Sequence, residues 1–250
     1  MIRRFRNSMG KIKAKTLTPE MIEQYMGDRR TEGKVVRLKN GKLKRTGDIS
    51  EVTIHHEMNL VRHAFLLAKT KWRILNHTPF EFVTLPKGDK QRKRFMSVQE
   101  ADKVVSECPD WLRPMVVIGL DTGLRISNIA CLKWSQVDLF QRVINIPKTK
   151  NDDPVCIPMT DRVFVLLKEF QKESKVSINW VLGKPYKRNQ ISKGFKRVIR
   201  KLGMDEEITF HSIRHTFCSH MAIQGANLND IATLAGHRDL RSAKRYSHLN

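Results

Sequence analysis

The sequence predicts a mainly α-helical protein with one small β-sheet: an α+β domain preceded by a small all-α N-terminal domain. Three observations carry the prediction. Apolar residues recur at helical spacing through most of the 250 residues. One stretch, residues 142–158, changes instead to short β-rich runs around a polar turn. Residues 84–95, which hold the run LPKGDKQRKRF, have the proline, glycine and charge of a linker. The boundary falls there, giving a helical domain over 1–83, a linker over 84–95 and a second domain over 96–250.

The first helix is expected at 17–30. Thr18-Pro19-Glu20 supplies an N-cap, a proline at the first helical position and an acid in the first turn, and Met21, Ile22, Tyr25 and Met26 follow at core spacing. Residues 33–50 are rich in Gly, Lys and Arg and predict a basic loop. A second amphipathic helix over 51–72 would bury Val52, Leu60, Val61, Ala64, Phe65 and Leu67. After the linker, Ser97 and Glu100 form a capping box that opens a helix running to about Cys108. Residues 111–121 form an apolar helix stopped by Thr122-Gly123, and another helix runs from near Arg125 to about Lys133. Val143, Ile144 and Ile146, then KTKNDDP, then Val155, Ile157 and Pro158 predict a β-hairpin. Further helices are expected at 161–173, 188–202, 210–224, 227–235 and 239–247.

The formal net charge is +22, and it is uneven: residues 1–94 carry 23 Lys/Arg against 9 Asp/Glu, and residues 95–250 carry 24 against 16. With 40% hydrophobic residues the chain can build a core, so this is not a disordered basic tail. Such an excess attracts polyanions, and DNA or RNA is the commonest such partner. Lys39, Lys42, Lys44 and Arg45 in the basic loop, and Arg92, Lys93 and Arg94 in the linker, are candidate backbone contacts. No apolar run approaches the roughly 20 residues of a membrane span, so no membrane partner is expected. Cys108, Cys131, Cys156 and Cys218 form no C-x-x-C pair, which predicts buried, reduced thiols and a cytoplasmic protein. The opening Met-Ile-Arg-Arg-Phe-Arg has no apolar stretch behind its charges, unlike a secretory signal.

The chemistry-bearing residues cluster in two places. Thr122-Gly-Leu-Arg125-Ile-Ser lies upstream, and the last forty residues hold His211-Ser-Ile-Arg214-His-Thr-Phe, Leu-Ala-Gly-His237 and Arg-Tyr246-Ser-His. Two arginines, two histidines and a tyrosine suffice to attack a phosphodiester without metal: guanidinium forks hold the non-bridging oxygens, and a tyrosine can act as nucleophile. His211 and His215 stand four apart, as zinc ligands can, but serine follows His211 and no third ligand completes a site. No metal or other cofactor is expected.

In order and spacing, TGLRIS at 122–127, PKTK at 147–150, HSIRHTF at 211–217, LAGH at 234–237 and RYSH at 245–248 resemble the catalytic domain of the tyrosine recombinases, the phage-integrase family. The interval of nine from His237 to Tyr246 is also the family's. The resemblance implies a site-specific DNA recombinase, prokaryotic or phage-encoded and nucleoid-associated, whose partner is double-stranded DNA and which would cut and rejoin strands through a 3′-phosphotyrosine on Tyr246. Cleavage and rejoining proceed without ATP, because the covalent link stores the bond energy. It implies Arg125 and Arg214 as phosphate clamps, His211 as proton acceptor or donor near the tyrosine, and His237 as a hydrogen-bond donor to a phosphate oxygen. A hairpin lysine would protonate the 5′-oxygen. Lys150 is preferred to Lys148, because its distance to Pro158 matches the family interval. It further implies a core-binding domain over 1–83 and a tetramer on paired DNA sites.

The chain departs from the family pattern in three places. Asn128 stands where an acid usually follows the first arginine; asparagine can hydrogen-bond but cannot pair as a charge, so Arg125 is expected to be less well oriented. The opening helix of the core-binding domain is expected to be short or missing, leaving that domain incomplete. Four residues follow Tyr246, fewer than the tail of relatives. The alternatives are a catalytically impaired remnant that only binds DNA and a type IB topoisomerase-like relaxing enzyme. Residues 228–246 also have the pattern of a helix-turn-helix, which would suit DNA binding without catalysis. An RNA-binding protein fits poorly with 7% aromatics.

Overall fold

The computed structural model describes residues 2–37, 40–88, 94–147, 154–173, 179–236 and 240–249. The chain divides into two compact units, Met1–Arg92 and Lys93–Asn250.

The first unit holds α1 (Ile2–Met9), α2 (Pro19–Glu32), a two-stranded hairpin of β1 (Val35–Arg37) and β2 (Leu43–Arg45), and α3 (Glu51–Thr70). Helix α2 starts where predicted: the Thr18 side chain accepts from the Met21 amide, and Pro19 occupies the first turn. Ser50 caps α3 in the same way at Thr53. Ile22, Tyr25 and Met26 of α2 pack against Ile54, Met58 and Val61 of α3, with Leu17 and Phe80 closing the core.

Several expectations fail here for identifiable reasons. Leu60 and Met21 are solvent-exposed, as is Ala64, while Val52 and Leu67 are half-buried. The buried stripe of α3 runs through Ile54, Glu57, Met58 and Val61 instead. Glu57 is 2% exposed and is held by the Tyr25 hydroxyl (2.9 Å) and Arg29 Nε (3.1 Å). A charged residue inside the stripe defeats a count based on apolar periodicity. Within the expected loop, strands β1 and β2 pair antiparallel, Val35 opposite Arg45 and Arg37 opposite Leu43. The N-terminal basic run is helical, since Arg4 pairs with Glu32 at 2.8 Å and Phe5 meets the Tyr25 ring edge-on.

The second unit is a layered helical domain around a three-stranded sheet. Helices α4 (Val98–Glu107), α5 (Arg113–Thr122) and α6 (Ile126–Ala130) precede strands β3 (Val137–Asp138), β4 (Val143–Ile146) and β5 (Val155–Pro158). Helices α7 (Asp161–Glu173), α8 (Arg188–Lys201), α9 (Phe210–Ile223), α10 (Leu228–Leu234) and α11 (Arg241–Lys244) follow. The expected hairpin is β4–β5, antiparallel with Ile144 opposite Ile157. Strand β3, absent from the sequence expectation, adds to β4 over two residues, too few for periodicity to register.

Apolar α5 is the centre of the unit, buried along Pro114–Gly119. It lies close against α9: a Cβ on Gly119 would come within 2.9 Å of Ile213. Helix α6 is shorter than expected, because the chain turns extended at Lys133 to bridge Trp180. Two of the four thiols depart from the expected burial. Cys108 and Cys218 are buried, whereas Cys131 ends α6 and Cys156 faces outward on the sheet-edge strand β5, both exposed. Burial pushes the Cys108 thiol up to about 11.

Candidate active site

Three loops of the second unit converge through backbone carbonyls held by arginines. The first follows α5. Gly123 ends that helix in the left-handed conformation (φ 63°), and the chain then runs extended through Arg125 into α6. The second is the opening of α9, where Thr209 and Ser212 form a reciprocal cap. That cap places His211 at the exposed N-terminal turn and Arg214 one turn further, buried. The third is the turn after α10, which ends at Gly236 with φ 59°.

Arg214 Nη1 donates to the Gly123 carbonyl at 2.9 Å, two residues before Arg125. Arg125 Nη2 donates to the Gly236 carbonyl at 3.1 Å, the residue before His237. Each guanidinium therefore tethers a loop bearing another motif residue. A Cβ at Gly123 would lie 2.4 Å from Phe217 Cδ1, so any larger residue would force that ring to shift. These acceptors were not legible in the sequence, since a backbone carbonyl carries no residue-type signal. The glycine that ends α5 was legible, but only as a helix stop.

Tyr246 is 4% exposed and packs with Cys218, Ala222, Ile231 and Ala235. Its ring lies 5.2 Å from that of His215, tilted by 39°. Burial raises its phenol well above the ordinary tyrosine value, and the contact with the Cys218 thiol adds to this, while Arg245 and Arg214 oppose it. His220 Nε2 is 2.9 Å from the Met96 carbonyl and Thr216 Oγ1 accepts from the Met96 amide at 3.1 Å, so both fasten the start of this unit to α9.

The structure thus joins the Arg214 side chain to the loop that presents Arg125. His211 and Arg214 share the first turns of α9, and Tyr246 packs on the same face of that helix further along, through His215, Cys218 and Ala222. His237, Lys148 and Lys150 lie outside the described residues, as do Lys39, Arg92 and Lys93. Lys42 and Lys44 are exposed, Lys44 on β2. Arg45 pairs with Asp48 at 2.9 Å, and Arg94 pairs with Glu100. Asn128 is half-buried on α6, its amide bonded to the Arg125 carbonyl at 2.8 Å. Helix α11 has four residues, too few to lie along a DNA groove as a recognition helix. Among the described residues no three His, Cys, Asp or Glu side chains gather to hold a metal ion, and no helix is long and apolar enough to cross a membrane.

Residues 90–250 match the phage integrase family, and the chain belongs to that family. It is similar to the integrase of Salmonella phage P22, with 24% identity over 77% of this chain and 52% of that protein. It is also similar to a shufflon-specific DNA recombinase of Escherichia coli, with 28% identity over 82% of this chain and 53% of that protein. The chain therefore spans about half the length of these relatives. Among solved structures, the Tn1549 transposon integrase in complex with transposon right end DNA has the same fold, with a TM-score of 0.78 at 18% identity over 100% of this chain and 88% of that one.

Proposed function

We propose that this chain is a site-specific DNA recombinase that cleaves and rejoins strands through Tyr246. The observation that carries the reading is the hold of Arg214, near the opening of α9, on the Gly123 carbonyl, which ties one guanidinium to the loop that bears the other, on Arg125. Two such forks suit the non-bridging oxygens of one phosphodiester, on which charge grows as a nucleophile attacks. The Tyr246 oxygen attacks phosphorus, the bond to the 5′-oxygen breaks, and a 3′-phosphotyrosine forms. The phenol proton passes to His211, and the departing 5′-oxygen takes one from Lys150. His237 adds a hydrogen bond to a phosphate oxygen. Resealing reverses the steps, so no ATP or metal is required. In the packing described, the phenol is buried and protonated, so attack requires residues 240–249 to release it first.

Residues 1–83 act as the core-binding domain and 96–250 as the catalytic domain, and a tetramer on paired sites carries out exchange. The exposed Lys42 and Lys44 and the linker cations Arg92, Lys93 and Arg94 serve as phosphate contacts. Of the alternatives, a helix-turn-helix regulator is disfavoured by the four-residue α11 and has no use for the arginine tethers.

The test is a covalent protein–DNA adduct on a denaturing gel, formed without metal on nicked duplexes from DNA flanking the gene. Wild type should give a shifted band that disappears with Tyr246→Phe, while binding persists and falls steeply with salt. An adduct that survives in Tyr246→Phe would refute the nucleophile. Salt-insensitive binding would refute DNA backbone recognition.

A further inference from the structure

The penultimate residue of α5 is an acid, Asp121. This is a poor place for one, because the carbonyl end of a helix repels negative charge and aspartate favours helix interiors little. Its carboxylate faces the corner between β5 and α7. The Thr160 hydroxyl donates to Oδ2 at 2.6 Å, Arg162 Nε donates to Oδ2 at 3.0 Å, and Arg162 Nη2 bonds Oδ1. The pair is a two-pronged fork, the most directional form of ion pair, and the Asp121 side chain is only 9% exposed.

Thr160 serves two elements at once, since its Oγ1 also accepts from the Val163 amide and opens α7. The other root of the hairpin is fixed to the same corner. Arg142, just before β4, pairs with Asp161 at 2.8 Å, its guanidinium lies 4.1 Å from the Phe164 ring centre, and its carbonyl accepts from the Met159 amide. Both roots of the β4–β5 hairpin are thus tied to the start of α7. Asp121 in turn ties that start to the last turn of α5, four residues before Arg125.

We propose that Asp121 is a positioning residue for strand cleavage, setting the lysine-bearing hairpin in register with the Arg125 loop through Thr160 and Arg162. The inference rests on the proposed role of Lys150. The hairpin delivers the proton that leaves with the 5′-oxygen, whereas the arginines hold the phosphate. Loosening the Asp121 tie therefore weakens protonation of the leaving group and spares phosphate binding.

A leaving group that needs no proton separates this role from general support of the fold. In a duplex carrying sulfur in place of the bridging 5′-oxygen, the P–S bond breaks and the thiolate departs unprotonated. With the full chain and ordinary DNA, Asp121→Ala should slow adduct formation by about 10–100-fold, the range for removing the outer partner of a functional group. On the sulfur-bridged duplex it should match wild type, with DNA affinity unchanged. Arg162→Gln, a change at a half-exposed side chain that leaves the core intact, should repeat the pattern. The double variant should be no slower than either single one.

Lys150→Ala is the reference and should also recover on the sulfur duplex. If it does not, the lysine assignment fails and this inference falls with it. If Lys150→Ala recovers while Arg162→Gln or folded Asp121→Ala stays slow on both duplexes, the positioning role alone is overturned. It is overturned equally if Arg162→Gln cleaves ordinary DNA at the wild-type rate.

Discussion

Substituting Gly123 by alanine tests the site's construction more sharply than removing a catalytic group. Two costs apply. The residue sits at φ +63°, where a side chain costs roughly 1–2 kcal/mol. The new Cβ would also lie 2.4 Å from Phe217 Cδ1 and 2.8 Å from its Cε1, far inside carbon–carbon contact. The ring must move, and overpacking of this kind costs about 1–3 kcal/mol. Gly203 provides the control: its φ is +62°, and nothing lies within 4 Å of an added Cβ. Gly203→Ala should therefore show the backbone cost alone. The entropy lost by the unfolded chain is common to both changes and cancels in their difference. Guanidinium unfolding followed by tryptophan fluorescence should place Gly123→Ala about 1–3 kcal/mol below Gly203→Ala. Phe217 packs against the cluster that holds Tyr246, and the Gly123 carbonyl holds Arg214, so Gly123→Ala should also slow adduct formation while Gly203→Ala should not. Equal stabilities within about 0.5 kcal/mol, beyond ordinary additivity error, would refute the argument, because the ring would then yield without resistance.

Two further predictions concern stability. Glu57→Ala leaves Arg29, 5% exposed, without its interior partner and should destabilise the first unit by about 3–5 kcal/mol, measured by denaturant unfolding. Cys108, whose thiol burial raises from 9.0 to about 11, makes stability depend on pH. Above the unfolded value the unfolded chain releases a proton that the folded chain retains. The contribution is complete below pH 9 and declines by up to about 1.4 kcal/mol per pH unit between pH 9 and 11. Cys108→Ala should flatten that part of the stability–pH curve, and an unchanged slope would exclude the thiol as its source.

The capping residues were legible because their signal is local. Thr18, Ser97 and Glu100 name helix starts by side-chain chemistry that needs nothing from the rest of the fold. The motifs around Arg125, Arg214 and Tyr246 were legible as a spaced set. The stripe of α3 was not, since Glu57 is buried only because Tyr25 and Arg29, about thirty residues away, satisfy it. Strands β1 and β3 were too short for alternation to emerge. Asp121 gave no signal either, because its meaning depends on Thr160 and Arg162, some forty residues further on. What escapes the sequence in each case is a polar partner supplied from a distance.

The arginine tethers make one last consequence testable. Arg214 holds the loop that presents Arg125, and Arg125 holds the turn that leads into His237. On the proposed function each arginine would act twice, as a charge on the phosphate and as a clasp on a neighbouring loop. Lysine retains the charge but offers a compact ammonium on a flexible stem, unable to span carbonyl and phosphate as a planar fork does. Arg214→Lys should lower cleavage by about 10²–10³-fold, as loss of a major oxyanion donor does, with little change in DNA affinity. Arg125→Lys should do the same. Because losing Arg214 also loosens the loop that presents Arg125, the two losses should not add. The cycle of both single variants and the double variant should show a coupling of about 0.5–3 kcal/mol in cleavage. Additive losses would mean that the two arginines act on the phosphate independently and that the carbonyl tethers have no part in building the site.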